Sequence, residues 1–136
     1  MAFVVDASVV GNWHFADERR ADVDRVLDAT EHEHLLVPAH WWFEIRNVLL
    51  MGERRGRTSQ RQTEDFLIRL SRLPIDVDTV PSESDMFSFA RRHRLTFYDA
   101  AYLELAWRSE TALATTDYDL AKAAKAEGVS LVLATE

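Results

Sequence analysis

Short apolar runs separated by stretches of helical periodicity constrain this chain more than any other feature. Phe3-Val4-Val5 ends in Asp6 and passes straight into Ala7-Ser8-Val9-Val10, the pattern of a buried strand entering a helix. Residues from about 18 to 30 set Val23, Val26, Leu27 and Thr30 at helical spacing among charges, and His34-Leu35-Leu36-Val37 before Pro38 is a second buried strand. Between His40 and Arg55, Trp41, Ile45, Val48 and Leu49 form an apolar stripe, with Gly52 and Gly56 expected to mark a fraying end. Ser59 and Gln62 have capping-box spacing ahead of a helix buried through Phe66, Leu67, Leu70 and Leu73, and Pro74 stops it. Ile75 to Val80 alternates with period two, which predicts a half-exposed strand closed by Pro81, and Ser82 caps the next helix. Tyr98-Asp99 opens a helix through Trp107, Ala112 to Thr115 is a strand, Asp117 to Glu127 is a helix ended by Gly128, and Ser130 to Leu133 is a last strand.

Strands that alternate with helices require crossover connections, so the expected class is α/β, a three-layer α/β/α sandwich around a mostly parallel sheet. The 136 residues make one domain, 1–136, with no repeat, low-complexity segment or linker to divide it. A chain of this size buries enough surface to need no covalent staples. Consistently, it has no cysteine, which excludes disulfides, thiolate metal sites and a cysteine nucleophile and favours a cytoplasmic address. The opening Met-Ala-Phe-Val-Val-Asp lacks the pattern of a secretory leader, and no apolar segment is long enough to span a bilayer, so no membrane association is expected.

In an open parallel sheet, ligands bind beyond the carboxyl ends of the strands, where strand order reverses. That rule selects acids. Asp6 ends the first strand, Asp117 follows the strand at 112–115, Asp99 begins the helix leading into it, and Glu44 lies one turn into the helix after the second strand. Carboxylates converging in a partly buried place raise one another's pKa and need a cation. With no histidine among the four, a hard ion held by oxygen, Mg²⁺ or Mn²⁺, suits the set, and such an ion promotes phosphodiester hydrolysis.

Each acid also has a plainer reading. Thr96 to Asp99 and Thr116 to Asp119 both have capping-box spacing, so Asp99 and Asp119 would serve as helix caps, and for Asp119 that reading is preferred. Glu44 would be an ordinary ion-pairing residue on a helix flank. Asp6 resists such treatment, because a carboxylate directly after three buried apolar residues is costly unless it is paired or bound to metal.

The net charge of −7 opposes binding to a polyanion through bulk charge, although cations at the acidic cluster would reverse the local sign. Two basic clusters remain as phosphate contacts: Arg91, Arg92 and Arg94 around His93, and Arg54 and Arg55 with Arg57 and Arg61 nearby. The alternative is that they are solvated helix ends. Trp41 and Trp42 are adjacent and cannot both face the core, so one is expected at an interface. His32-Glu33-His34 reads as a solvated turn rather than a chelating run.

Val5-Asp6-Ala7-Ser8, Glu44 after Leu36-Val37-Pro38, Tyr98-Asp99-Ala-Ala-Tyr102-Leu103 and Ala114-Thr115-Thr116-Asp117 occur in the order of the four acidic motifs of the PIN-domain ribonucleases, and over its whole length the chain resembles the VapC-type toxins among them. The resemblance implies that Asp6, Glu44, Asp99 and Asp117 bind Mg²⁺ or Mn²⁺, with Ser8 and Thr116 as orienting hydroxyls and Asp119 as an auxiliary acid. It further implies an endoribonuclease, homodimeric, that cleaves structured RNA to 5′-phosphate and 3′-hydroxyl ends and is silenced by a small cognate antitoxin. A catalytically silent PIN-like module binding RNA or protein is the alternative. A receiver-type phosphoacceptor is disfavoured, since both lysines, Lys122 and Lys125, lie within one helix rather than after a late strand. A dinucleotide-binding oxidoreductase is weaker still, as only Gly11 follows the first strand.

Overall fold

Each strand of the sheet is one of the apolar runs marked by the sequence. A computed structural model describes residues 2–15 and 20–133 of the chain. In order, its elements are β1 (Ala2–Val5), α1 (Ala7–His14), α2 (Ala21–Ala29), β2 (His34–Val37), α3 (Trp41–Arg54), α4 (Gln60–Leu70), β3 (Ile75–Val77), α5 (Glu83–His93), α6 (Phe97–Ser109), β4 (Ala112–Ala114) and α7 (Tyr118–Ala126). All strand pairs are parallel, and the sheet runs β3-β2-β1-β4. The chain builds outward from β1 to β2 and β3, then returns to the other side of β1 for β4. Strand order therefore reverses between β1 and β4, and the crevice beyond their carboxyl ends is the binding position of an open α/β sheet.

Helix α6 packs against β1, β2 and β4 and is flanked by α5 and α7, while α1 packs on α2 and α3, and α4 on α3. The result is the three-layer α/β/α arrangement expected. Every residue of α6 from Ala100 to Ala106 is buried, so this helix is interior nearly all round, and its first turn delivers Asp99 to the crevice. Among the described residues, no helix is long and apolar enough to cross a membrane.

Local chemistry accounts for most element ends. Ser59 and Gln62 form the reciprocal capping box of α4, with Ser59 Oγ accepting from the Gln62 N–H at 3.1 Å and Gln62 Oε1 from the Ser59 N–H at 3.0 Å. Ser82 and Thr96 cap α5 and α6. Gly128 follows α7 at φ +79°, a conformation open to glycine at little cost.

Four expectations need correction. Gly52 does not mark a frayed end; it is buried inside α3, and a Cβ there would lie 2.6 Å from the Phe15 ring. The strand expected over 75–80 stops at Val77, because its partner β2 ends at Val37: after the Asp78 N–H to Val37 O bond of 2.8 Å, no further β2 residue remains to pair. The last strand contracts to one parallel bridge, Leu113 to Leu131, made by the Leu113 N–H to Ser130 O and the Val132 N–H to Leu113 O. Helix α2 begins at Ala21 rather than near 18; positions 18 and 19 lie outside the described residues.

Candidate active site

Asp6 occupies the N-cap position of α1 but makes no side-chain capping bond. Its carboxylate is held sideways instead. Ser8 Oγ donates to Asp6 Oδ2 at 2.9 Å, and Thr115 Oγ1 donates to the same oxygen at 2.7 Å. Both hydroxyls also accept from the turn between β4 and α7: Ser8 Oγ from the Thr116 N–H at 3.1 Å, and Thr115 Oγ1 from the Asp117 N–H at 3.0 Å. The backbone adds an Asp6 N–H to Ala114 O bond of 3.0 Å. These bonds lock β1 to the turn carrying Asp117, and they leave Asp6 Oδ1 without a partner among the described residues.

Glu44 is treated the same way. Tyr102, buried in the middle of α6, donates its hydroxyl to Glu44 Oε1 at 2.7 Å, and His40 Nε2 stands 2.8 Å from that same oxygen. The His40 contact lacks hydrogen-bond alignment, so it acts as an electrostatic contact rather than a directed bond. Asp117, the N-cap of α7, accepts the Leu120 N–H on Oδ1 at 2.9 Å. In all three acids, one oxygen is fixed by the protein and the other has no partner among the described residues.

The three face Asp99 across one cavity of about 550 Å³, lined also by Ser8, Asn12, Arg20 and Thr116. Burial pushes the Asp6 carboxyl up to about 6; the Thr115 and Ser8 hydroxyls oppose the shift, and the negative charges of Asp99 and Glu44 add to it. Asp99 is likewise raised, first by burial, then by Asp117 and Glu44. Tyr102 is held far above the usual phenol range by burial and by the charges of Asp6 and Glu44, so it remains a hydrogen-bond donor.

In chemical type, these side chains are ones that a hard cation accepts. Their ligating atoms are all oxygen, their negative charge is undercompensated, and the open carboxylate oxygens lie at a shared cavity. Among the described residues, no three acidic or histidine side chains are gathered closely enough to hold a metal ion between them as they stand.

The PIN domain family model matches residues 3–126. The chain belongs to the PIN domain family. Ribonuclease VapC3 of Pyrobaculum aerophilum is 30% identical over 125 residues, covering 90% of this chain and 94% of the relative. The crystal structure of PAE2754 from Pyrobaculum aerophilum superposes with a TM-score of 0.71 at 27% identity, over 97% of this chain and 84% of that one. A toxin-antitoxin complex from Klebsiella pneumoniae shares the fold, with a TM-score of 0.60 at 17% identity over 87% and 89% of the two chains.

In this PIN domain, the four acids expected at one rim do line one cavity, and Ser8 bonds Asp6 as anticipated. Thr116 joins through its amide rather than its hydroxyl; the hydroxyl on Asp6 is that of Thr115. Asp117, not Thr116, caps α7, and Asp119 is exposed on the first turn, away from the acidic cavity. His40, Tyr102 and Thr115 are parts of the site that sequence reasoning misses. Strand alternation offers a signal for Thr115, since an inward-facing polar residue at the end of a buried strand needs a partner. His40 lies one helical turn before Glu44, a spacing that predicts contact.

Arg91, Arg92, His93 and Arg94 form a separate groove of about 350 Å³ with Lys122 and Asp119, between the end of α5 and the start of α7. Arg92 also pairs with Glu127 at 2.6 Å, and His93 meets the same oxygen. Arg54 and Arg55 are exposed at the far end of α3, ten and eleven residues beyond Glu44. Trp41 is core and Trp42 is exposed beside Phe43, so the pair divides as expected. His32 and Glu33 lie in the turn before β2.

Proposed function

We propose that this PIN domain is a Mg²⁺- or Mn²⁺-dependent endoribonuclease and the toxin of a toxin-antitoxin pair. The observation that carries the reading is the acidic cavity in which Asp6, Glu44 and Asp117 each have one oxygen fixed and one open. The name of the 30%-identical relative, a ribonuclease, supports the activity, and the toxin-antitoxin complex among the structural neighbours is in keeping with a protein partner.

When bound, a divalent ion would supply charge neutralisation at the scissile phosphate and a more acidic water. Asp6, Glu44, Asp99 and Asp117 would hold it. Ser8 and Thr115 fix Asp6, while Tyr102 fixes Glu44, so the open oxygens need little reorganisation. Excess negative charge also weakens the hold of the cavity on a phosphate, which a bound cation would relieve.

The groove of Arg91, Arg92 and Arg94 would carry RNA backbone, with Arg54 and Arg55 as a second contact. Exposed Trp42 would face a second copy in a homodimer or a helix of the antitoxin, and the site of action would be the cytoplasm. The test is incubation of purified protein with structured RNA. Cleavage to 5′-phosphate ends is expected with Mg²⁺ or Mn²⁺ and none in EDTA. Cleavage that persists in the chelator would refute the metal-dependent reading.

A further inference from the structure

Beside the acidic cavity lies a smaller one of different character. Its volume is about 250 Å³, and its walls include Pro38, Pro81, Met86, Phe97, Tyr98 and Ala101, with His40 and Asp78 as the polar groups. Sites for drug-sized molecules occupy about 300–1,000 Å³, so this one suits a single flat ring system. Apolar faces with a few polar groups at the edge are the surface that a nucleobase requires.

Two links join this pocket to the carboxylates. His40 lines it while its Nε2 stands 2.8 Å from Glu44, and Tyr98 immediately precedes Asp99. A phosphate at the acids and a base in the pocket are thus neighbouring positions along one strand. The Tyr98 ring is 62% exposed, and the His40 ring is 5.3 Å from it. Phe97 and Trp107 of the same helix are also partly exposed, at 40% and 43%, and Tyr98 is the most open of the three.

The pocket wall is also built independently of the core. Glu104, fully buried on α6, accepts the Ser82 N–H at 2.9 Å and Arg108 Nε–H at 2.7 Å. Arg108 in turn donates to Asp78 at 2.6 Å. Both ends of segment 78–82, which carries Pro81 into the wall, are therefore tied to the helix that carries Tyr98. Such fixing lowers the cost of ordering a site around its ligand.

We propose that the cavity between α6 and segment 78–82 is a nucleobase pocket, seating one unpaired base of the RNA whose backbone reaches the carboxylates, with Tyr98 as its stacking platform. The proposal rests on the ribonuclease reading for its ligand, but its test needs neither metal nor cleavage. The four ribonucleoside 5′-monophosphates and ribose 5-phosphate, the base-free control, are titrated in EDTA and followed by saturation-transfer difference NMR. At least one nucleotide is expected to bind more tightly than ribose 5-phosphate, with transfer to its base protons. Tyr98→Ala should weaken that nucleotide about 5- to 150-fold, the range carried by stacking one base on one ring, while Tyr98→Phe retains it. Ribose 5-phosphate binding as tightly as every nucleotide, an unchanged Tyr98→Ala, or equal loss in Tyr98→Phe would each overturn the proposal. Absent metal-dependent cleavage with the base-dependent binding intact would instead count against the nuclease reading alone.

Discussion

At the scale of single residues, Asp6 carries a measurable cost. Its pKa lies near 6 in the folded chain against 3.8 in the unfolded one, so ionised Asp6 opposes folding at neutral pH. The difference corresponds to about 3 kcal/mol at about 1.4 kcal/mol per unit. Because the folded value is the higher, the penalty is complete above pH 6, shrinks as the pH falls through 6, and is gone below 3.8. In EDTA at pH 7.5, Asp6→Asn should therefore melt several degrees above the wild type, with the advantage fading by pH 4. Thermal melts across that range check it, and a variant less stable at every pH would contradict the assignment. Thr115→Val should act in the opposite direction. It strips a hydrogen bond from a buried carboxylate and unpairs the Asp117 N–H, at about 1–3 kcal/mol, while Thr115→Ser should restore stability in denaturant titrations. Asp6 was legible in the sequence because a charge after a buried run is anomalous. Thr115 was less so, since alternation signals only that it needs a partner, and that partner, Asp6, lies at the end of another strand.

Among the elements, helices announced themselves more clearly than strands. Ser59 with Gln62, Ser82, Thr96 and Gly128 mark helix ends through local hydrogen bonds and backbone conformation, which sequence spacing encodes directly. Strand length depends on distant partners. Ile75 to Val80 alternates well enough to predict six residues, yet β3 is an edge strand whose partner, β2, ends at Val37. Gly52 is the same lesson within a helix: its role is set by Phe15, thirty-seven positions earlier. Alanine favours a helix interior by about 1 kcal/mol over glycine. Gly52→Ala should nonetheless destabilise the domain by about 1–3 kcal/mol, because its Cβ would meet the Phe15 ring. Pairing it with Phe15→Leu should recover part of the loss. Equilibrium unfolding of the single and double variants decides, and a stabilised Gly52→Ala would show that the ring moves freely aside.

For the whole molecule, separation of charge would reconcile the net charge of −7 with the proposed RNA binding. Negative charge gathers in the cavity of Asp6, Glu44, Asp99 and Asp117, and positive charge lies in the groove of Arg91, Arg92 and Arg94. If RNA uses that groove, Arg91→Glu with Arg94→Glu should weaken RNA binding and flatten its dependence on salt, by roughly one unit of log-log slope for each phosphate no longer neutralised. Filter binding at several salt concentrations measures both, and an unchanged slope would remove the groove from the interface. Trp42→Ala tests the assembly face: its hydrodynamic size or its antitoxin binding should change, and size exclusion showing neither would place Trp42 on free surface. The most direct measurement of the central claim is a Mn²⁺ titration followed by electron paramagnetic resonance and RNA cleavage on the same samples. Wild type should bind Mn²⁺ and gain activity in step, with Asp6→Asn binding more weakly and cutting at least a hundredfold more slowly, on the order expected when a charged metal ligand is neutralised. Equal Mn²⁺ binding and equal cleavage in the two proteins would contradict the account.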